Sequence, residues 1–260
     1  MVTARSSPGK AHRGRWTRRV AARGPWCDAG DMGGKRPGAR LLPLAAALAA
    51  STLHLLWLRP RLLTWGATRE EVARAYPGDE LVPDATGSST MATTLPAPPE
   101  EVWSWLVQMG GDRGGWYSWD SLDHYGVPSA DRIVPEWQGP RVGQHLEAAK
   151  GGRAWFTVAV LEPGRTLVLR SGLGLPSGRS FDADHEPPPR AHMDGVWGFH
   201  LRPTPDGGTR LVVRTRGRSR PRALTLPFDV LVGEPAHFVM QTRQFHNLRT
   251  RLGAAPPEPS

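Results

Sequence analysis

One cysteine, Cys27, is all the thiol this chain of 260 residues contains. A disulfide framework and a cysteine-ligated zinc site are thereby excluded. Because Cys27 lies in the N-terminal tail, a thiol nucleophile in the folded body is excluded too. Lysine is almost as scarce, three against thirty arginines, a bias that reads as GC-rich coding rather than guanidinium chemistry. No phosphate loop and no dinucleotide fingerprint is present; Gly172-Leu173-Gly174 is too short and opens no helix. Acids are nearly missing from residues 1–40, where ten Lys/Arg face only Asp28 and Asp31. The net charge of +9 is therefore +8 in this tail and +1 in the other 220 residues. A near-neutral body lacks the electrostatic footprint of phosphate binding, so nucleic acid is not an expected partner.

What is there begins with that tail. Residues 1–40 are rich in Arg, Gly, Ser and Pro without apolar periodicity, and are expected to be disordered. Translation from Met32 instead of Met1 would leave only a short basic leader. One long apolar run follows. Residues 41–58, LLPLAAALAASTLHLLWL, carry no charge and lie between Arg40 and Arg59. As a helix they cover about 27 Å, just enough for a bilayer core. Trp57 and Trp65 with Arg59 and Arg61 suit an interfacial anchor at the far end. The rival is a cleaved signal peptide, but its best site, Ala47-Leu48-Ala49, is followed by more apolar sequence. We therefore expect one uncleaved transmembrane helix. The basic residues from Arg5 to Arg19 tip the body toward the extracytoplasmic side, and a start at Met32 removes that tip.

Residues 59–87 are expected to form a juxtamembrane helix and linker. Thr68 and Glu71 have capping-box spacing, Pro77-Gly78 stops that helix, and Asp79–Gly87 reads as linker. A compact domain is then expected over 88–252, with a Pro-rich tail over 253–260. Its pattern is α+β. A strand at Ser89–Leu95 precedes a helix opened by Pro98-Pro99, with Val102, Trp105, Leu106 and Met109 on one face. Strands are predicted at Arg141–Ala148, Arg153–Leu161, Thr166–Arg170, Gly195–Arg202 and Thr209–Arg216. Residues 171–193 read as a long loop. Helices are predicted at Arg222–Val232 and Pro235–Leu252, the latter with Phe238, Gln241, Phe245, Leu248 and Leu252 on one side. Alternation places Trp197, Phe199 and Leu201 on one strand face and Leu211, Val213 and Thr215 on the next, all inward. His200 and Arg214 fall on the opposite, solvent side.

The segment Thr94-Leu95-Pro96-Ala97-Pro98-Pro99-Glu100-Glu101-Val102-Trp103 and the order of elements resemble the SRPBCC superfamily of START-like polyketide cyclase/dehydrase and lipid-transport proteins. Trp65-Gly66-Ala67-Thr68, Arg113-Gly114-Gly115-Trp116-Tyr117-Ser118, Ser129 to Trp137 and Glu234 to Met240 are similar to uncharacterised actinobacterial members. The resemblance covers about residues 65–252. It implies a helix-grip fold: a curved antiparallel sheet wrapped around a long C-terminal helix, with an apolar cavity between them. Activity does not follow, because one scaffold hosts enzymes, lipid carriers and plain binders.

Five of the eleven tryptophans lie between Pro98 and Gln138. Aromatics at that density supply flat apolar walls with polar handles. Trp116, Tyr117 and Trp119 are the expected roof of the cavity, with Trp197, Phe199, His237 and Phe238 as further ligand-binding candidates. Asp120, Asp123, His124, Asp131 and Arg132 are the polar groups worth testing. Of these Asp120, His124 and Arg132 are the catalytic candidates for moving protons, against a bland role as caps and structural ion pairs. No nucleophile, oxyanion motif or metal spacing accompanies them. Asp182-Ala183-Asp184-His185-Glu186, His192 and Asp194 have metal-ligand residue types without recognised spacing, so a mobile loop, free to act as a lid, is expected and no metal. No cofactor is implied. Three readings stay open: a membrane-tethered binder of an apolar, lipid-like or polyketide-like molecule; a cyclase/dehydratase-type enzyme; and a regulatory module whose interior is filled by its own side chains.

Overall fold

A computed structural model describes residues 41–149 and 151–253. The expectations for residues 1–40, including the choice of start, and for 254–260 lie outside the described residues. By its contacts the chain divides into residues 1–46 and 47–260.

Helix α1 (Leu41–Leu53) gives way to a π-helical turn at His54–Leu58 and then to α2 (Arg59–Leu63). At 13 residues α1 is about 20 Å long, against about 30 Å for a bilayer core. Among the described residues no helix is long and apolar enough to cross a membrane. The expected single span is interrupted by the π-turn, although Leu53 and Arg59 at its two ends keep helical dihedrals.

The body is α+β. Its seven strands are β1 (Gly87–Leu95), β2 (His145–Ala149), β3 (Ala154–Glu162), β4 (Thr166–Gly174), β5 (Arg179–Ser180), β6 (His192–Pro203) and β7 (Thr209–Arg220). They form one curved antiparallel sheet in the order β1-β7-β6-β4-β3-β2, with β5 on β4. Register irregularities at Glu147/Ala149 and Val158/Val160 bend its β2–β3 side, as bulges do. Helix α4 (Pro99–Val107) buries Val102, Trp105 and Leu106, and Met109 just beyond it is buried too. The long C-terminal helix α7 (Glu234–Gly253) buries Gln241, Gln244, Phe245 and Leu248 against the same core.

Alternation placed the inward face correctly. Trp197 pairs with Thr215, Phe199 with Val213 and Leu201 with Leu211 across the β6–β7 hairpin, and Phe199, Leu201, Leu211 and Val213 are core. Residues 171–193 are not a long loop. β4 and β6 extend into that stretch and pair with each other from Thr166↔His200 to Gly174↔His192.

The opposite face of the sheet is covered, not bathed in water. The capping box forms at helix α3 (Arg69–Ala73), with Thr68 N–H donating to Glu71 Oε2 at 2.8 Å and Glu71 N–H to Thr68 Oγ1 at 3.2 Å. Glu71 then takes a two-point ion pair from Arg210 on β7, 2.8 Å at each oxygen. The supposed linker is a packed strip. Val82 is fully buried with Val168 and Val196, and Tyr76 is buried with Ala92 and Val212. Asp79 accepts from Arg214 at 3.1 Å and lies 3.7 Å from Arg216. Trp65 O caps the edge strand through Ala92 N–H at 3.0 Å. Gly66 makes this approach possible: its φ is +71°, and a Cβ there would sit 2.1 Å from Ala92 O.

His200 is sealed beneath this strip, its ring 4.6 Å from Tyr76, with neither nitrogen bonded. Burial lowers its pKa to about 4; Arg202 and Arg214 push the same way and Asp79 opposes them. A histidine depressed in the fold stabilises it fully above the unfolded value near 6.5 and loses that contribution as pH falls toward 4. Stability is expected to drop by about 3 kcal/mol across that window, from the size of the shift. Urea titrations of His200→Leu should show a flatter pH profile; an unchanged slope excludes His200 as its source.

Candidate functional site

Between the sheet and α7 lie two adjoining cavities, of about 340 and 420 Å³. Phe156, Trp197, Thr215 and His237 line both. The inner lobe adds Trp116, Ala148 and Met240, and the polar groups Ser118, Asp123, Gln241 and Gln244. The outer lobe runs along the ends of β1, β4, β6 and β7 and is bordered by Arg59 and Leu63 on one side and the segment 222–234 on the other.

The aromatic wall is continuous. Trp116 meets Phe156 edge-on at 5.2 Å and Trp197 at 5.7 Å, and Trp197 meets Phe156 at 5.7 Å. Such contacts hold rings in place beyond their burial alone. Two glutamines on α7 satisfy the polar edges of this wall. Trp197 Nε1 donates to Gln241 Oε1 at 3.2 Å, Gln241 Nε2 to Gln244 Oε1 at 2.8 Å, and Gln244 Nε2 to Trp116 O at 2.8 Å. Ser89 Oγ, in the wall of the outer lobe, lies 2.7 Å from Thr215 Oγ1 and 3.2 Å from His237 Nε2. Burial lowers the His237 pKa to about 4, so a neutral imidazole faces the cavity near pH 7.

The loop carrying Trp116 is tied to α7 at several points. Asn247 Nδ2 donates to Tyr117 O at 3.0 Å, Ser118 Oγ to Met240 O at 3.1 Å, and Arg251 Nε to Ala130 O at 2.8 Å. Gly115 has a φ of +75°, and a Cβ would come within 2.4 Å of Ser129 Oγ. Tyr117 has a φ of +56°, rare for a side chain of its bulk.

The seven ligand-binding candidates separate. Trp116, Trp197 and His237 line the cavity. Tyr117 does not: it is core, edge-on to Trp105 at 5.8 Å, its hydroxyl accepting from Gln108 at 2.8 Å. Burial pushes that hydroxyl's pKa up. Phe199 is core behind Trp197. Trp119 is 42 % exposed, under the Arg243 guanidinium at 4.9 Å, so it does not roof the cavity. Phe238 packs edge-on against Trp65 at 6.4 Å.

The catalytic candidates separate as well. Arg132 is exposed, and only its backbone carbonyl is used, by Gln108 Nε2 at 3.1 Å. Asp120, on the short helix α5 (Asp120–Asp123), accepts the Ser129 hydroxyl. His124 is buried with Nδ1 unbonded. Among the acids of this stretch Asp123 reaches the wall of the inner lobe, its two carboxylate oxygens shielded and without a well-formed hydrogen bond. Its pKa is pushed up to about 6, by burial first and then by Asp120; its own N–H, His124 and Ser118 offset this in part. Phe156 and the two glutamines escaped sequence reading as wall residues; Gln241 at least stood on the expected buried face of α7.

No protein-family model and no curated protein matches this sequence. Solved structures resemble it weakly. Protein MLL2253 from Mesorhizobium loti is 21% identical with a TM-score of 0.39, over 64% of this chain and 96% of that one. DynU16, a protein in the dynemicin biosynthetic locus, is 19% identical with a TM-score of 0.38, over 63% and 47%. KanY is 14% identical with a TM-score of 0.37, over 65% and 98%. At this similarity they decide neither family nor function.

A carboxyl whose folded pKa is raised favours the protonated fold. Stability is therefore lost as pH rises from about 4 through 6. Asp123→Asn is expected to unfold later than the parent chain above pH 6, by about 1 kcal/mol after allowing for screening at a partly exposed residue, and equally below pH 4. Thermal melts at pH 4 and pH 8 check it. A destabilised variant at pH 8 would mean that Asp123 has a partner it depends on.

The residues with metal-ligand types near 182–194 are otherwise engaged. Asp184 and Asp194 pair with Arg170, Asp194 also with Arg218, and His185 Nδ1 meets Asp182 at 2.8 Å. No group of three ligands is assembled among the described residues.

Proposed function

We propose that this chain is a membrane-tethered, START-like (SRPBCC-type) helix-grip domain that holds an apolar small molecule in its two-lobed cavity. One observation carries the reading: Trp116, Phe156 and Trp197 wall a space of about 420 Å³ that shares Phe156, Trp197, Thr215 and His237 with a second of about 340 Å³. Ligand sites begin near 300 Å³ and are mostly apolar with a few placed polar groups. The cavity's polar groups fit that description, since the glutamines are spent on each other and on the tryptophans. Such a wall orients a greasy body and asks little of its polar end. The space also counts against a module filled by its own side chains. The uncharged run at 41–58 is the basis for the tether.

The test is to purify the full chain gently, extract it with organic solvent, and compare native and denatured masses. A stoichiometric apolar molecule is expected; an empty protein from its native membrane would defeat the reading. The enzyme reading rests on a different feature, the raised pKa of Asp123 at the cavity wall. An acid poised near 6 suits proton transfer to or from a bound carbonyl compound.

A further inference from the structure

We propose that the outer lobe opens against a lipid bilayer, with the helical flap at 222–233 seated in the headgroup layer. This rests on the binding and tether reading above and adds the route by which ligand enters.

The flap consists of α6 (Arg222–Phe228) and a π-turn, Asp229–Gly233. Neither piece buries a single residue. Yet Leu224 is 77% exposed and Leu231 68%, with Phe228 and Val232 exposed beside them. The other border of the mouth repeats the pattern: Leu56 is 76% exposed, next to Leu55, Trp57 and Leu58. These segments frame one opening, because Arg59, Leu63, Leu226 and Asp229 all line the outer lobe. A two-point ion pair from Arg59 to Glu234, at 2.6 and 2.7 Å, clamps the two borders together. Apolar side chains left in water around a cavity mouth mark an interaction surface.

The chemistry at the rim selects a bilayer over a protein. The apolar border continues directly into the uncharged run at 41–58. Arg61 lies over the Trp57 ring at 4.0 Å and donates to Trp57 O at 2.8 Å, the arginine–tryptophan pairing of an aqueous membrane interface. Arg222 opens the flap and is exposed, and Arg220 just before it is exposed although 3.4 Å from Asp84, so the greasy patch starts beside cations suited to lipid phosphates. No residue of the flap is buried, and its side-chain ties to the sheet run through Ser219, whose Oγ donates to Asp229 at 2.6 Å and meets Thr225 at 2.8 Å; Pro227 lies inside α6. Seated in headgroups it would open the outer lobe to acyl chains instead of water.

The experiment places an environment-sensitive NBD label in the full chain carrying Cys27→Ser, at Leu231→Cys, Leu56→Cys or Asp206→Cys. Each protein is mixed with phosphatidylcholine/phosphatidylglycerol vesicles, with and without lipids bearing a shallow nitroxide. Quenching of roughly twofold or more at position 231, with none at 206, is the expected result for a group a few ångströms into the headgroup layer. The same quenching at 231 without any at 56 supports the flap and removes the tether. Quenching at 56 alone overturns the flap and spares the tether, and no quenching at either position overturns both. A label at 231 that is already shielded without vesicles, in proportion to protein concentration, assigns the face to a second copy and also overturns the proposal.

Discussion

Thr215→Trp should leave a folded protein that no longer carries ligand. Thr215 faces inward from β7, opposite Trp197, and belongs to the wall that both lobes share. An indole there projects into the junction of the two spaces. The space is already void, so the larger ring meets little of the overpacking cost that a solid core imposes. Ligand affinity is expected to fall at least about 100-fold, which corresponds to about 2.7 kcal/mol. Thr215→Val is the control. It removes the hydroxyl bonded to Ser89 at 2.7 Å and should cost about 1 kcal/mol of stability while leaving the space open. Extraction of both variants, with melting temperatures to verify folding, separates shape from polarity. Stoichiometric ligand on a well-folded Thr215→Trp would put the binding site elsewhere.

The second large effect lies on the far face of the sheet. Asp79→Ala is expected to destabilise the chain by about 3 kcal/mol, the scale for stranding one partner of a buried ion pair. Asp79 is held from three sides: its carboxylate accepts from Arg214 at 3.1 and 3.4 Å, accepts from Tyr76 N–H at 3.2 Å, and lies 3.7 Å from Arg216. Arg214 is only 9% exposed, so without Asp79 its charge keeps only the bond to Thr90 Oγ1 at 2.7 Å. Replacing both, as Asp79→Ala with Arg214→Leu, removes the stranded charge and should recover much of the loss. Urea midpoints of the single and double variants measure the coupling. A single variant within about 0.5 kcal/mol of the parent chain, the range of ordinary surface substitutions, would return residues 79–87 to the status of a linker.

These two results bear on different faces, and sequence reading served them unequally. Period-two alternation along β6 and β7 put Trp197 and Thr215 inward, where they are. The same rule put His200 and Arg214 on the other face, correctly, and then supposed that face was wet. Nothing in a strand's own periodicity says what the rest of the chain lays across its back. The strip from Trp65 to Ala85 does so through scattered contacts, several of them between residues more than 130 positions apart, such as Glu71 with Arg210 and Asp79 with Arg214. The extension of β4 and β6 through the Gly- and Pro-rich stretch was hidden for a related reason. Each is stabilised by the other's edge, from Gly172↔Asp194 outward, more than by its own composition.

The aromatic stretch shows the limit most sharply. Sequence alone suggests one roof of Trp116, Tyr117 and Trp119, and the fold sends them to a cavity wall, the core and the surface. A positive φ at Tyr117, two residues after Gly115, which also turns left-handed, breaks any helical or strand period, so neighbouring side chains diverge. Asp123 stood in that stretch as one polar group among five, and only its place on the cavity wall singles it out.

By itself the sequence determined the α+β pattern, the capping box at Thr68, the buried faces of α4 and α7, and the inward set on β6 and β7. Each follows from spacing along a regular element, where the backbone's own geometry assigns directions. The tertiary structure alone decided which rings enclose empty space, which acid of the aromatic stretch reaches it, and what seals the outer face of the sheet. Those outcomes depend on irregular backbone and distant partners, whose positions no local period encodes.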